Sequence, residues 1–63
     1  MNRLKEYRSK ANMTQRELAA IADLTLITIS NIENNRTEPK ISTAIAISKA
    51  LNVGLKELWD VEN

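Results

Sequence analysis

The apolar residues of this chain recur at the i, i+3, i+4 spacing of amphipathic helices, and no segment keeps the long alternation of a half-buried strand. The chain has seven Ala, seven Leu and seven Ile but one Gly and one Pro, which favours helices over a turn-rich sheet. We therefore predict an all-α fold of five short helices around one core, at about residues 2–10, 14–22, 26–34, 41–51 and 55–60.

The second of these helices has a clear start signal. The run Thr14-Gln15-Arg16-Glu17 has the capping-box pattern, in which Thr14 accepts from the Glu17 amide and Glu17 reaches back to the Thr14 amide. Met13 precedes this cap, and Leu18 stands at the fourth helical position, which is the spacing of a hydrophobic staple.

A short turn separates this helix from the next. Asp23 tolerates left-handed backbone geometry, Thr25 is the next cap, and Asn35 is suited to a left-handed C-terminal stop. Ile29 and Ile32 mark the buried side of the third helix. Two helices joined this tightly must cross steeply, so residues 14–35 fit a helix-turn-helix, whose second helix enters the DNA major groove.

Helical spacing also predicts which sides of the other helices face the core. On the first helix, the residues that share one face are Leu4, Tyr7 and Ala11. On the fourth, the predicted inward residues are Ile41, Ala44, Ile45, Ser48 and Leu51, with Ile47 at the margin. The fifth helix offers Leu55, Leu58 and Trp59.

Composition narrows the function to that of a binding module. At 63 residues we expect one domain over 1–63, since a chain of this length buries only about 60% of its unfolded surface. The absence of Cys and His removes disulfides, thiolate and imidazole zinc sites, the commonest general base and the strongest nucleophile. A hydrolase built on Asp and Glu has little support, because Glu17 is used by the capping box and most acids are scattered. We expect no enzymatic activity, no metal and no cofactor.

Charge and polarity indicate a soluble protein with a basic N-terminal part. The formal net charge is +1, but residues 1–50 carry eight Lys or Arg against five Asp or Glu, a net +3. Residues 51–63 carry one Lys against three acids, a net −2. No apolar run is long enough to cross a membrane, and the polar start at Met1, Asn2 and Arg3 is not typical of a signal peptide. We therefore expect a cytoplasmic protein.

The combined motifs resemble the Cro/lambda-repressor-like, or XRE-type, family of bacterial and phage DNA-binding domains. The matching elements are Thr14-Gln15-x-Glu17-Leu18-Ala19, Ile29-Ser30-x-Ile32-Glu33-Asn34, the Pro39 loop, Ala50-Leu51-Asn52-Val53 and Leu55-x-Glu57-Leu58-Trp59. With the first helix, the resemblance covers nearly the whole chain. It implies a compact five-helix lambda-repressor-like domain whose second and third helices form the helix-turn-helix, in a bacterial or phage protein acting at the nucleoid.

The resemblance implies base contacts from the start of the second helix and the outward face of the third. These residues are Gln15, Thr25, Leu26, Ile27, Thr28, Ser30 and Asn31. The Asn31 amide suits an adenine edge, which presents a paired donor and acceptor. A role as an ordinary solvated residue is the alternative for Gln15, and a role as a cap alone is the alternative for Thr25.

Leu26 and Ile27 depart from the family pattern, in which polar residues are usual at these positions. They can contact thymine methyl groups, which is an accepted form of base readout. A protein-binding surface and a tighter local core are the alternatives.

Further residues are implied to anchor the DNA backbone or to support the fold. The residues implied to contact phosphate are Gln15, Asn34, Arg36 and Lys40. An ordinary solvated loop is the alternative for the last three. Arg8 and Glu33 correspond to a structural ion pair of several family members. Trp59 and Leu55 are candidates for a dimer interface, with a core position as the alternative for Trp59.

Two functions of different classes follow. The first is a sequence-specific regulator, expected to be a repressor, that binds a palindromic operator as a homodimer, since one domain of this kind buries only about 600–1,000 Å² on DNA. A regulatory partner protein is a further expected partner, whereas a membrane or a small-molecule substrate is not. The second function is a protein-interaction module on the same fold with reduced or lost DNA binding, which Leu26, Ile27 and the modest net charge favour.

Overall fold

The computed structural model describes residues 2–59, which form five helices: α1 (Leu4–Lys10), α2 (Gln15–Ala22), α3 (Leu26–Glu33), α4 (Ile41–Leu51) and α5 (Leu55–Leu58). The all-α five-helix prediction is confirmed. The first helix begins two residues later than predicted from Asn2, and α5 ends at Leu58 with extended backbone at Trp59. The predicted end of the fifth helix at Asp60 lies outside the described residues.

Side-chain caps fix the starts of α2 and α3. Thr14 Oγ1 accepts from the Glu17 amide at 3.0 Å, and Glu17 Oε1 accepts from the Thr14 amide at 2.8 Å, so the predicted capping box is confirmed. Thr25 Oγ1 accepts from the Thr28 amide at 3.1 Å and caps α3. Both helices thus begin where the sequence predicts.

Asn and Asp, rather than Gly, take the left-handed backbone positions between helices. Asp23 ends α2 with φ 58°, and Asn35 follows the C-cap of α3 with the same value. Asn12 and Asn52 have φ 60° and 57° in the turns after α1 and α4. Short polar side chains tolerate this conformation better than other non-glycine residues do, so four sharp turns form in a chain with one glycine.

All five helices contribute to the core. The largest fully buried side chains are Leu4, Leu18, Ile29, Ile32, Ile47 and Leu58. Tyr7, Met13, Leu24 and Trp59 pack against this cluster as half-buried residues. The prediction that Ile29 and Ile32 mark the buried side of α3 is confirmed.

The predicted inward face of α4 is wrong in part. Ile41 is 71% exposed and Ile45 is 36% exposed, whereas Ile47, expected at the margin, is fully buried. The buried face consists of Ala44, Ile47, Ser48 and Leu51. Two sets of apolar residues on α4 have helical spacing, one containing Ile41 and Ile45 and the other containing Ile47. The set containing Ile47 is buried, because it faces α2 and α5. The grouping of Ala11 with the core face of α1 is also wrong, because Ala11 lies exposed in the turn where α1 ends.

The two ends of the described chain meet beside α3. The backbones of Asn2 and Trp59 pair in antiparallel fashion, and the Arg3 amide donates to the Leu58 carbonyl at 2.8 Å. The Asn2 Nδ2 donates to the Ile32 carbonyl at 2.8 Å. This contact ties the start of the chain to the end of α3. Within residues 2–59, none of the helices has the length and apolar character needed to cross a membrane.

Candidate nucleic-acid interface

Helices α2 and α3 pack against each other across the turn at residues 23–25. The left-handed Asp23 reverses the chain, and the Leu24 amide then donates to the Ala19 carbonyl at 2.8 Å. Leu24 packs against the core, which anchors the middle of the turn. This turn fixes how α3 leaves α2, and with it the direction in which the outer face of α3 points.

The outer face of α3 combines hydroxyl, amide and apolar side chains. Ile27 is 71% exposed and Leu26 is 36% exposed, so a local core position is ruled out for Ile27. The Thr25 and Thr28 hydroxyls lie 2.9 Å apart, which joins the cap residue to the first turn of the helix. The rest of the predicted base-contacting set on α3, Ser30 and Asn31, is half-buried.

Asn31 has a side-chain amide that is engaged by no hydrogen bond within residues 2–59. Its backbone carbonyl, by contrast, accepts from the Arg36 amide at 2.8 Å and so holds the loop after α3. Both hydrogen-bonding groups of the amide are therefore free for a ligand, and a donor beside an acceptor matches the major-groove edge of adenine.

Three of the predicted phosphate-contacting residues, Asn34, Arg36 and Lys40, lie along the segment between α3 and α4, whereas Gln15 begins α2. Asn34 is the C-cap of α3, and its Nδ2 donates to the Ser30 carbonyl at 2.8 Å. Arg36 and Lys40 are exposed, and Lys40 stands immediately before the first residue of α4. The segment thus presents two solvated cations and one anchored amide immediately after α3 in the chain.

Arg8 and Glu33 form a nearly buried ion pair between α1 and the end of α3. The Arg8 Nε and Nη2 donate to the two carboxylate oxygens of Glu33 at 2.5 and 3.2 Å, and the side chains are 12% and 3% exposed. The Arg8 Nη1 donates to the Met13 carbonyl at 2.7 Å. The pair therefore fixes α1, the turn before α2 and the end of α3 relative to one another.

Gln15 joins this ion pair, a contact that the sequence reasoning missed. Its Nε2 donates to Glu33 Oε1 at 2.9 Å, and the residue is half-buried. The two residues are 18 positions apart. No local pattern signals a contact at that separation, because it depends on the crossing of α2 and α3.

The two candidate dimer residues belong to α5 and to the residue that follows it. Leu55 is 36% exposed at the start of α5, and Trp59 is half-buried against the core. Ile41 and Ile45, one turn apart on α4, add further exposed apolar surface. Within residues 2–59, no group of three or more acidic side chains could hold a metal ion.

Comparison with known proteins decides the family. The helix-turn-helix family model matches residues 4–58. The chain belongs to the XRE-type helix-turn-helix family. An uncharacterized HTH-type transcriptional regulator of Archaeoglobus fulgidus is 33% identical over 57 residues, which is 90% of this chain and 80% of that protein. Another, from Methanocaldococcus jannaschii, is 32% identical over 62 residues, covering 98% and 94% of the two chains.

The helix-turn-helix match contains nearly all of the candidate residues. It extends from before Arg8 to beyond Leu55 and leaves out only Trp59 of the predicted set. The family and both relatives point to a regulator rather than an enzyme, in agreement with the sequence prediction.

Proposed function

We propose that this helix-turn-helix protein is a transcription regulator that binds double-stranded DNA by sequence. The observation that carries the proposal is the division of α3 into a buried side, at Ile29 and Ile32, and an outer side with a free amide at Asn31. An α-helix fits the major groove, where each base pair presents a distinct pattern of donors, acceptors and methyl groups. Both similar proteins are named as transcriptional regulators.

The residues proposed to contact bases belong to α3, its cap and the start of α2. Asn31 reads an adenine edge, and Ile27 packs against a thymine methyl group. The other members are Gln15, Thr25, Leu26, Thr28 and Ser30. The high exposure of Ile27 supports its role, because 71% of its surface is available to a ligand.

Contacts with the DNA phosphate backbone fix the register of the protein on the duplex. Arg36 and Lys40 supply exposed cations, and Gln15 and Asn34 supply amide groups, for phosphate oxygens on either side of α3. These contacts carry the electrostatic part of the affinity and are independent of sequence. The net charge of +3 over residues 1–50 supports the placement of the DNA surface in that part of the chain.

The regulator acts as a homodimeric repressor on a palindromic operator in the cytoplasm. One domain of this size buries too little surface on DNA for high specificity, and a two-fold dimer doubles it. Leu55 and Trp59 contribute to the dimer interface, and the exposed Ile41 and Ile45 on α4 supply further apolar surface for it. A bacterial or phage source remains a prediction of the family resemblance.

The alternative is a protein-interaction module that kept the fold and lost DNA binding. It is favoured by one observation, the exposure of Leu26 and Ile27 at the start of α3, where two large apolar side chains face solvent. In that case a partner protein covers the outer face of α3.

A salt titration of binding to duplex DNA separates the two functions. DNA binding through several phosphate contacts predicts that log K falls linearly with log salt concentration, with a slope of about −0.9 per phosphate contact. Binding to a protein that hardly changes with salt, with no binding to duplex DNA, would contradict the regulator and support the interaction module.

A further inference from the structure

The ion pair between Arg8 and Glu33 has a third member, Gln15, which belongs to another helix. The Glu33 carboxylate already accepts two hydrogen bonds from Arg8, at Oε2 and Oε1. The amide of Gln15 donates a further hydrogen bond to Oε1 at 2.9 Å. Gln15 is the residue that begins α2 and is one of the proposed DNA contacts.

The chemistry of this contact fixes which way the Gln15 amide points. An ionised carboxylate accepts hydrogen bonds and donates none, so the Gln15 atom that faces Glu33 is Nε2 and not Oε1. One N–H is used in this way, which leaves the second N–H and the carbonyl oxygen for a ligand. Because Glu33 is itself held by the Arg8 fork and is 3% exposed, it provides a rigid anchor.

We propose that Glu33 is a positioning residue for DNA binding, which holds the Gln15 side chain in one orientation before the duplex arrives. The proposal rests on the proposed function for its DNA contact. A flexible glutamine loses rotamer freedom when it binds, and a side chain that is already held loses less. The buried pair therefore contributes to affinity through Gln15 in addition to holding α1 against α3.

The first test uses the free wild-type protein. Gln15 is the single glutamine of the chain, so labelling with side-chain ¹⁵N-glutamine separates its NH₂ signal from those of the asparagines by NMR. We expect a ¹⁵N order parameter for this group close to that of rigid backbone amides, about 0.85. An order parameter below about 0.6, as for a flexible side chain, would overturn the proposal whether or not the protein binds DNA.

The second test asks whether the contribution of Gln15 to DNA binding depends on Glu33. The paired variant Arg8→Met/Glu33→Leu removes the acceptor without leaving an unpaired charge, and apolar replacement of buried ion pairs is often tolerated. Affinity is measured for the tightest duplex selected from a random library. We expect Gln15→Ala to weaken binding about fivefold in the wild type and less than about twofold in the paired variant.

Asn31→Ala is the matched control in both backgrounds, because its side chain makes no hydrogen bond to the ion pair. It should weaken binding equally in the two backgrounds, since an apolar contact replaces the ion pair between α1 and the end of α3. Equal losses for Gln15→Ala in both backgrounds would overturn the positioning role. If the wild type binds no duplex, the proposed function fails, and the order parameter still decides whether Glu33 holds Gln15. If the paired variant does not fold, the order parameter of the wild-type protein still tests whether Glu33 holds Gln15.

Discussion

Arg8 Nε lies 2.5 Å from Glu33 Oε2, and this contact joins two residues 25 positions apart in a nearly buried ion pair. Glu33 stands at the end of α3, so the pair holds one end of the proposed recognition helix against α1. The geometry uses both carboxylate oxygens and three arginine nitrogens, including the one that donates to the Met13 carbonyl. The orientation of α3 therefore depends on a contact with Arg8, which lies outside the helix-turn-helix.

Loss of one partner of this pair should be strongly destabilising. We expect Glu33→Ala to lower the free energy of unfolding by about 3–5 kcal/mol, because it leaves the Arg8 guanidinium buried without its counter-charge. Urea denaturation followed by circular dichroism measures the change. Glu6→Ala is the control, because its pair with Lys10 is largely exposed and should contribute less than about 0.5 kcal/mol. A loss for Glu33→Ala as small as that of the control would contradict this role.

Asn2 should stabilise the fold although it precedes the first helix. Its Nδ2 donates to the Ile32 carbonyl and to Asn35 Oδ1, and its Oδ1 accepts from the Leu4 amide. We expect Asn2→Ala to lower the free energy of unfolding by about 1–2 kcal/mol, since the Leu4 amide loses its acceptor and the Ile32 carbonyl keeps only the donor from the Asn35 amide. Asn2→Asp keeps the acceptor but removes the donor, and should be no more stable than Asn2→Ala. Wild-type stability of Asn2→Asp in the same urea denaturation would show that the donor is not needed.

Asn31 and Arg36 should differ in how they affect specificity. Asn31→Ala should weaken the preferred operator by about 1–3 kcal/mol and random DNA much less, because a base contact is lost. Arg36→Ala should weaken both DNAs similarly and reduce the salt slope by about one unit, because a phosphate contact is lost. Fluorescence anisotropy with both duplexes at several salt concentrations measures these effects. Equal losses on the two DNAs for Asn31→Ala would remove it from the base-reading set.

The contribution of Ile27 to DNA affinity should depend on a thymine methyl group. Replacement of thymine by uracil removes the C5 methyl without changing the pairing or the hydrogen-bonding edge. At the position that Ile27 contacts, we expect this replacement to weaken the wild type several-fold and to have little effect on Ile27→Ala. A wild type that tolerates uracil at every position of its operator would contradict the thymine contact and favour the exposed side chain as a protein-binding surface.

The ends of the helices could be predicted from the sequence because their signals are local. The Thr14 box, the Thr25 cap and the left-handed Asp23 each depend on residues within a few positions of one another. The sequence of α4 contains no local signal that shows which side of the helix is buried. Stripes through Ile45 and through Ile47 both satisfy helical spacing, and the choice depends on what the rest of the fold places beside the helix.

The contacts between distant residues were the least accessible to sequence reasoning. The bond from Gln15 to Glu33 and the bond from Asn2 to Ile32 join residues 18 and 30 positions apart. Each depends on the crossing angles of helices and on a single rotamer, neither of which leaves a periodic pattern in the chain. The candidate residues of α3 could be predicted from the sequence, because α3 has one buried side, at Ile29 and Ile32, and its opposite side is left for a ligand.

The most direct test of the DNA-reading account is selection of bound duplexes from a random library by the wild-type protein. We expect enrichment of one sequence with two-fold symmetry, whose half-sites lie about one helical turn apart and contain adenine at the position that Asn31 contacts and thymine at the position that Ile27 contacts. Recovery of duplexes with no common sequence, or of none above background, would contradict it.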